Sequence, residues 1–384
     1  MTEKLYYKDS YIHSFKAQVI ACTEAKGGYG VILDKTAFFP EGGGQPSDAG
    51  TIGNAHVLDV QISKGDIIHY VSAPLNTGTV YDCKIDWDLR FRRMQNHSGE
   101  HLVSGIAHSK FGCDNVGFHM GNDCMTVDFN IELTRDALRF IEREANRAVY
   151  ENVEISTVFP SQSELRTIDY RSKLDLADDV RLIVINGYDI CACCAPHVAR
   201  TGEIGVIKIL SSMRHRGGVR LTMIAGRDAY DDYVVKHGYN AEISALLSSK
   251  PNETTDAVQH LLNTLQKTKF ENSSLKRELA ALYFSSASAD QNGNVCVFCP
   301  SIDTDVVREH VNVLTSKYTG FCAAFSGSDD EGYRYIIASR DLDSRQFVSS
   351  LNAALGGRGG GSAKMVQGSV KALKSDIEVF FKSL

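Results

Sequence analysis

The chain has 384 residues, 43% hydrophobic and 23% charged, with a formal net charge of −6. That length supports roughly two to four domains, and the balance excludes a disordered or fibrous protein. An acidic total also excludes nucleic-acid binding through the field of the whole molecule, so such a partner must meet a local basic patch. No apolar run reaches membrane-spanning length, and the opening Met1-Thr2-Glu3-Lys4-Leu5-Tyr6-Tyr7 lacks an apolar signal core. The expectation is no membrane partner and no export, with the ten cysteines as reduced thiols in a cytoplasmic protein.

In chain order, residues 1–85 read as all-β. Short runs such as Gln18–Ala21 and Gly30–Asp34 alternate between Gly-rich turns. The unusual piece is Phe38-Phe39-Pro40-Glu41-Gly42-Gly43-Gly44-Gln45-Pro46. Gly42, Gly43 and Gly44 permit positive φ and close approach of a backbone or a ligand, with Gln45 beside them. A tight hairpin connection accounts for the glycines equally well.

Residues 86–228 mix helices and strands. Met94, Leu102, Val103, Ile106 and Phe111 predict a helix that carries His97-Ser98-Gly99-Glu100-His101. His97 and His101 then lie one turn apart on one face, the spacing by which two imidazoles share an ion. A buried strand at Leu182–Ile185 and a turn at Asn186-Gly187 lead to Cys193-Cys194-Ala195-Pro196-His197. Pro196 breaks any helix there, so Cys193 and His197 are expected to converge from a loop. Three imidazoles and a thiolate suit Zn²⁺ better than Mg²⁺ or Ca²⁺. Later strands are expected at 204–210 and 219–224. Between them Arg214, Arg216 and Arg220 could grip RNA phosphates or form a solvated turn.

From residue 229 the character is helical. Lys250-Pro251-Asn252 ends one pattern and starts another, with Asn252 able to cap. Val258, Leu261, Leu265, Thr268, Asn272, Leu275, Leu279 and Leu282 follow the 3-4 spacing of a coiled-coil seam. The seam predicts a homodimer, with an intrachain helical hairpin as the alternative. A last domain begins near Gly293. Its Cys296-x-x-Cys299 has no second pair and reads as structural. Gly356-Gly357-Arg358-Gly359-Gly360-Gly361-Ser362-Ala363-Lys364 reads as a backbone-exposing basic loop that could lie against phosphates. It lacks the Gly-Lys-Ser/Thr ending of a nucleotide P-loop.

The ordered set of Phe39–Gln45, the H-x-x-x-H at His97 and His101, the C-x-x-x-H continuing into Val198–Gly205, and the glycine stretch at 356–361 resembles a known family. It is similar to the freestanding alanyl-tRNA editing proteins (the AlaX family, long form) and to the editing and C-terminal domains of alanyl-tRNA synthetase. The resemblance implies hydrolysis of the ester joining serine or glycine to alanine tRNA, with one zinc held by His97, His101, Cys193 and His197. Two departures stand out. The synthetase core Cys-Gly-Gly-Thr-His is here Cys193-Cys194-Ala195-Pro196-His197, and Glu100 stands where many synthetases have threonine.

The expected architecture is α+β and multidomain: a β-barrel-like glycine-motif domain (1–85), a zinc editing domain (86–228), a coiled-coil segment (229–288) and an α/β domain with a glycine-rich loop (289–384). Glu100 is the candidate general base. Gly42, Gly43, Gly44, Gln45, Arg214, Arg216, Arg220, Gly357, Arg358, Gly359, Gly360 and Lys364 are the candidate substrate and tRNA contacts. Two other classes fit parts of the pattern. His97-Ser98-Gly99-Glu100-His101 also matches the H-x-x-E-H of zinc peptidases, although that class takes a glutamate as third ligand. A closed set of four protein ligands also suits a structural zinc in a non-catalytic tRNA-binding protein.

Overall fold

The first six long strands close on themselves. They are β1 (Ser14–Ala25), β2 (Gly28–Leu33), β3 (Gly50–Ile52), β4 (Ala55–Ser63), β5 (Asp66–Val71) and β6 (Val80–Ile85). The order β1-β2-β5-β4-β3-β6 is antiparallel throughout, and β6 pairs back onto β1 to complete a barrel. Alternation along the strands turns Val19, Val31, Leu33, Val57 and Val71 inward. This is a computed structural model; it describes residues 2–172 and 180–383. The chain divides into two compact units, Met1–Ala241 and Glu242–Leu384.

Helix α1 (Trp87–Phe111) leaves the barrel directly. Asp86 caps it by accepting from Leu89 N, and Gly112 ends it in the left-handed region. Every residue from Asn96 to Ala107 is buried. The helix is therefore enclosed on all sides, which is why its polar residues do not form a solvated face. One side packs on strands β7 (Asn115–Met120) and β8 (Met125–Phe129), continued by β12 (Ile207–His215) and β13 (Gly218–Ala225). The sheet order is β12-β13-β8-β7. Helix α2 (Arg135–Glu151) buries Leu138, Ile141, Ala145 and Ala148 in the same core, and Thr134 is its N-cap, accepting from Ala137 N. A separate three-stranded sheet joins β9 (Ile155–Val158), β10 (Leu182–Ile185) and β11 (Asp189–Ala192).

One ion pair joins α1 to the barrel. Arg90 is fully buried, Asp48 nearly so, and both Asp48 oxygens accept from the guanidinium. The remaining Arg90 donors reach the carbonyls of Ser10 and Ala37. Asp48 also accepts from Phe39 N at 2.6 Å, which ties down the stretch containing the three glycines.

The division between the units falls within helix α3 (Arg227–Leu246), after Ala241, and helix α4 (Thr254–Ser285) belongs to the second unit. Glu253 rather than Asn252 is the N-cap of α4, and no side chain caps it. Helix α4 buries Ala280 and Phe284, whereas the seam residues Val258, Leu261, Leu265, Leu275, Leu279 and Leu282 are 39–68% exposed. The sheet that follows has the order β14-β15-β16-β18-β17. Its strands are β14 (Val295–Phe298), β15 (Cys322–Ser328), β16 (Gly332–Ala338), β17 (Arg358–Gly361) and β18 (Met365–Val370). Helix α5 (Thr304–Lys317) crosses between β14 and β15, the parallel pair; the other pairings are antiparallel. Two cores line the sheet's two faces.

Two expectations need correction here. The C-terminal sheet is mixed and mostly antiparallel: helices separate β14 from β15 and β16 from β17, whereas β15–β16 and β17–β18 are hairpins. The glycine-rich loop is instead an edge strand, β17, with Gly359 opposite Gly368. A Cβ at either glycine would lie 2.3 Å from the Tyr335 hydroxyl, so the two glycines make room for that side chain across the strands. The hydroxyl donates to Asn352 Oδ1 at 2.8 Å. No described helix is long and apolar enough to cross a membrane.

Candidate metal centre

His97 and His101 sit one turn apart on α1 with ring centroids 5.4 Å apart. His197 comes from the irregular segment after β11, and its ring lies 4.8 Å from His97 and 4.6 Å from His101. Cys193 Sγ is 3.3 Å from His197 Nε2 and 3.6 Å from His97 Nε2. All four ligand atoms fall within 4.8 Å of one another. A tetrahedral Zn²⁺ with ordinary Zn–S and Zn–N bonds has an S···N edge of roughly 3.5 Å. The two Cys193 Sγ edges, 3.3 and 3.6 Å, match it. Helix α1 and the loop after β11 thus bring together the four residues the sequence singled out.

The atoms behind the ligands decide which nitrogen each ring presents. His97 Nδ1 donates to Gln45 Oε1 at 2.8 Å, and His101 Nδ1 donates to Asp189 Oδ2 at 3.0 Å. His197 Nδ1 meets Ser98 Oγ at 3.0 Å. Each Nδ1 is occupied, so each Nε2 is left for an ion, the arrangement that orients metal-binding histidines. Asp189 is itself gripped by Arg171 through 2.7 and 2.8 Å bonds. Burial opposes charge on Asp189, but the bonds from His101 and Arg171 outweigh it and hold the carboxyl below its usual range.

Without an ion the four groups are poorly matched to each other. Burial pushes the Cys193 thiol well up, and burial with the neighbouring histidines pushes His197 well below its ordinary value. A bound cation reverses both preferences by binding thiolate and neutral imidazole. The donor chemistry therefore fits a borderline-soft divalent ion.

Glycines bring the second layer within reach. A Cβ on Gly105 of α1 would lie 2.5 Å from the Tyr188 carbonyl and 2.7 Å from Asp189 Cβ, so the β10–β11 turn approaches His101 only over glycine. Gly44, with φ +81°, faces the Phe118 carbonyl, and its own carbonyl accepts from Met120 N at 2.8 Å. Gly42 and Gln45 exchange two 3.0 Å backbone bonds around that turn, which drops the Gln45 side chain onto His97.

A cavity of about 320 Å³ opens on the ligands and is lined by Gly43, Glu100, Asn115, Phe118 and Arg181 among others. Phe118 packs against the His97 ring at 4.9 Å. Glu100 is 4% exposed, and its Oε1 accepts from Ser104 Oγ and Asn115 Nδ2.

Other sequence candidates lie elsewhere. Arg214, Arg216 and Arg220 belong to the β12–β13 hairpin and line no part of this cavity. Arg220 is paired with Asp128 at 2.6 and 2.7 Å, and Arg214 with Glu132 at 3.0 Å. Two of the three cations expected to hold RNA are thus partly neutralised. Gly357, Arg358, Gly359, Gly360 and Lys364 belong to the second unit. The sequence reading missed Ser98, Asp189 and Arg171. Ser98 was adjacent to a ligand and Asp189 followed the turn at Gly187, but Arg171 carried no local signal.

Residues 180–221 match the family described as "Threonyl and Alanyl tRNA synthetase second additional domain", and residues 2–89 match "tRNA synthetases class II (A)". The chain is 30% identical over 295 residues to the alanyl-tRNA editing protein Aarsd1 of Mus musculus, covering 72% of this chain and 71% of that protein. It is 29% identical over 394 residues to Aarsd1-A of Xenopus laevis, covering 97% of this chain and 95% of the relative. It is also 31% identical over 377 residues to the alanine–tRNA ligase of Ignicoccus hospitalis, of whose length it spans only 40%. Near full-length similarity to the editing proteins, shared with part of a ligase, sets the assignment: the chain belongs to the alanyl-tRNA editing protein family.

Proposed function

We propose that the chain hydrolyses the ester of mischarged alanine tRNA, removing serine first and glycine second. The observation that carries this reading is the buried set of three Nδ1-anchored imidazoles and one thiol opening on a cavity, in a chain similar end to end to proteins named for alanyl-tRNA editing. His97, His101, Cys193 and His197 would hold one Zn²⁺. When bound, it supplies positive charge against the oxygen on which negative charge develops.

The chain's own residues do the rest. Glu100 accepts the proton of the attacking water, with Ser104 and Asn115 fixing its carboxylate. A cavity of about 320 Å³ lies near the lower end of small-molecule sites, roughly 300–1,000 Å³. It admits the acyl end and excludes the RNA body. An aminoacyl ester is already activated, so orientation, a base and charge stabilisation suffice.

The test is purified protein incubated with alanine tRNA charged in turn with serine, glycine and alanine. The seryl ester should disappear fastest and the alanyl ester should persist. Seryl-tRNA that decays at the rate of the protein-free control would overturn the reading.

Residues 1–228 hold this chemistry in the proposal, and the second unit supplies affinity for the tRNA body. Arg358 and Lys364, with exposed Gly359, Gly360 and Gly361 between them, suit phosphate contacts that read no base. The exposed leucine seam of α4 suits a second copy of the chain. Leu265→Glu with Leu279→Glu should convert a dimer to a monomer in sedimentation; a monomeric parent protein would end that claim. Ten unpaired cysteines suit a reducing compartment such as the cytoplasm.

A further inference from the structure

The cavity at the metal centre does not end at the ligands. Tyr7 and Arg181 line it, and Tyr7 also lines a second, more open groove of about 590 Å³ with Lys4, Thr157 and Phe159. Arg181 spans the two, since its Nη2 donates to Thr157 Oγ1 at 3.2 Å. The groove is aromatic at its centre. The Tyr7 and Phe159 rings have centroids 6.0 Å apart at 53°, and Phe159 is 56% exposed. Both nearby cations address the same ring: Lys4 Nζ is 5.0 Å and Arg181 Cζ is 5.4 Å from the Tyr7 centroid.

Neither cation has a carboxylate partner among the described residues. Lys4 makes no ion pair there, and Arg181 spends its other donors on the carbonyls of Cys193 and Ala195 and on Thr157. Arg181 is only 5% exposed, yet its Nε–H is buried without an acceptor among the described residues. A buried guanidinium N–H left open beside a cavity is costly unless a ligand satisfies it. The groove's acid, Glu3, is taken by Lys8 at 2.5 Å.

Exposed aromatic rings beside uncompensated cations are the elements that bind single-stranded nucleic acid, bases stacking on rings and phosphates meeting cations. A groove joined to the catalytic cavity at Tyr7 also satisfies a geometric need. The reacting ester sits on the last ribose of an unpaired RNA end, so the nucleotides before it must leave through the cavity mouth. We propose that the groove of Lys4, Tyr7, Phe159 and Arg181 is the docking track for the single-stranded 3′ end of the RNA, with bases on Phe159 and Tyr7. This rests on the reading that an RNA ester is the substrate.

The probe is an uncharged, 5′-labelled RNA tetramer ending in cytidine-cytidine-adenosine, titrated by fluorescence anisotropy against the full chain. It carries no ester, so the result stands apart from the hydrolysis assay. Phe159→Ala should weaken binding roughly ten- to hundredfold, and Phe159→Trp should retain it. Lys4→Ala should lower the log–log salt slope by about 0.7. Phe159 is exposed, so unchanged metal content and circular dichroism will show these variants intact. Equal binding by Phe159→Ala and parent would overturn the proposal, as would no binding by the parent. A blunt duplex of the same sequence binding as tightly would overturn the single-strand reading.

Discussion

Arg90→Ala is expected to destabilise the first unit by about 3–5 kcal/mol, the loss found when one partner of a buried ion pair is removed. The change strands Asp48, which is 1% exposed, without its counter-charge. It also leaves the carbonyls of Ser10 and Ala37 without donors. Set against a total stability of roughly 5–15 kcal/mol for a domain, this is a large fraction. The damage reaches the metal centre, because Asp48 holds the stretch that ends in Gln45 and Gln45 orients His97. Removing both charges with Arg90→Met and Asp48→Leu should recover much of the loss, since neither charge is then buried alone. Denaturant titration of the parent, the single variant and the double variant tests this. A single variant within about 1 kcal/mol of the parent would show that the pair does not hold the barrel to α1.

The second large effect concerns the ligands. Cys193→Ala and His101→Ala should each abolish stoichiometric metal binding and lower solubility, because binding energy at such a site is also folding energy. Asp189→Asn is the subtler case. It keeps the shape, removes the charge behind His101 and breaks the Arg171 ion pair. Outer partners of this kind typically contribute 10–100-fold in metal affinity. Metal analysis after gel filtration reads the first pair, and competition with a chromogenic chelator reads Asp189→Asn. Full occupancy in both ligand variants would mean the ion is held elsewhere.

The parts of the site that were legible in the sequence are those written in local spacing. His97 and His101 one turn apart, and Cys193 with His197 around Pro196, announce candidate ligands without any knowledge of the fold. What surrounds them is long-range. Asp189 reaches His101 only because Gly105 lets the β10–β11 turn approach α1, and nothing near residue 105 says so. Gln45 read as a substrate contact because the glycines before it suggested a ligand loop; its side chain instead fixes a histidine 52 positions away. Helix α1 was found from its apolar residues, but enclosure on all sides hid Ser98 and Ser104 as buried partners. The glycine run at 356–361 misled for a related reason. Glycine signals turns in isolation, whereas here Gly359 and Gly368 face each other under Tyr335 in a sheet.

The proposed role of the His97, His101, Cys193 and His197 centre is metal-dependent hydrolysis of mischarged alanine tRNA. The most direct measurement strips the purified full chain with a chelator, removes the chelator, and follows seryl-tRNA hydrolysis while Zn²⁺ is added back in known amounts. The expected result is a stripped protein without activity, recovery that rises linearly and stops at one Zn²⁺ per chain, and no recovery in Cys193→Ala. Full seryl-tRNA hydrolysis by protein shown to be metal-free would contradict it.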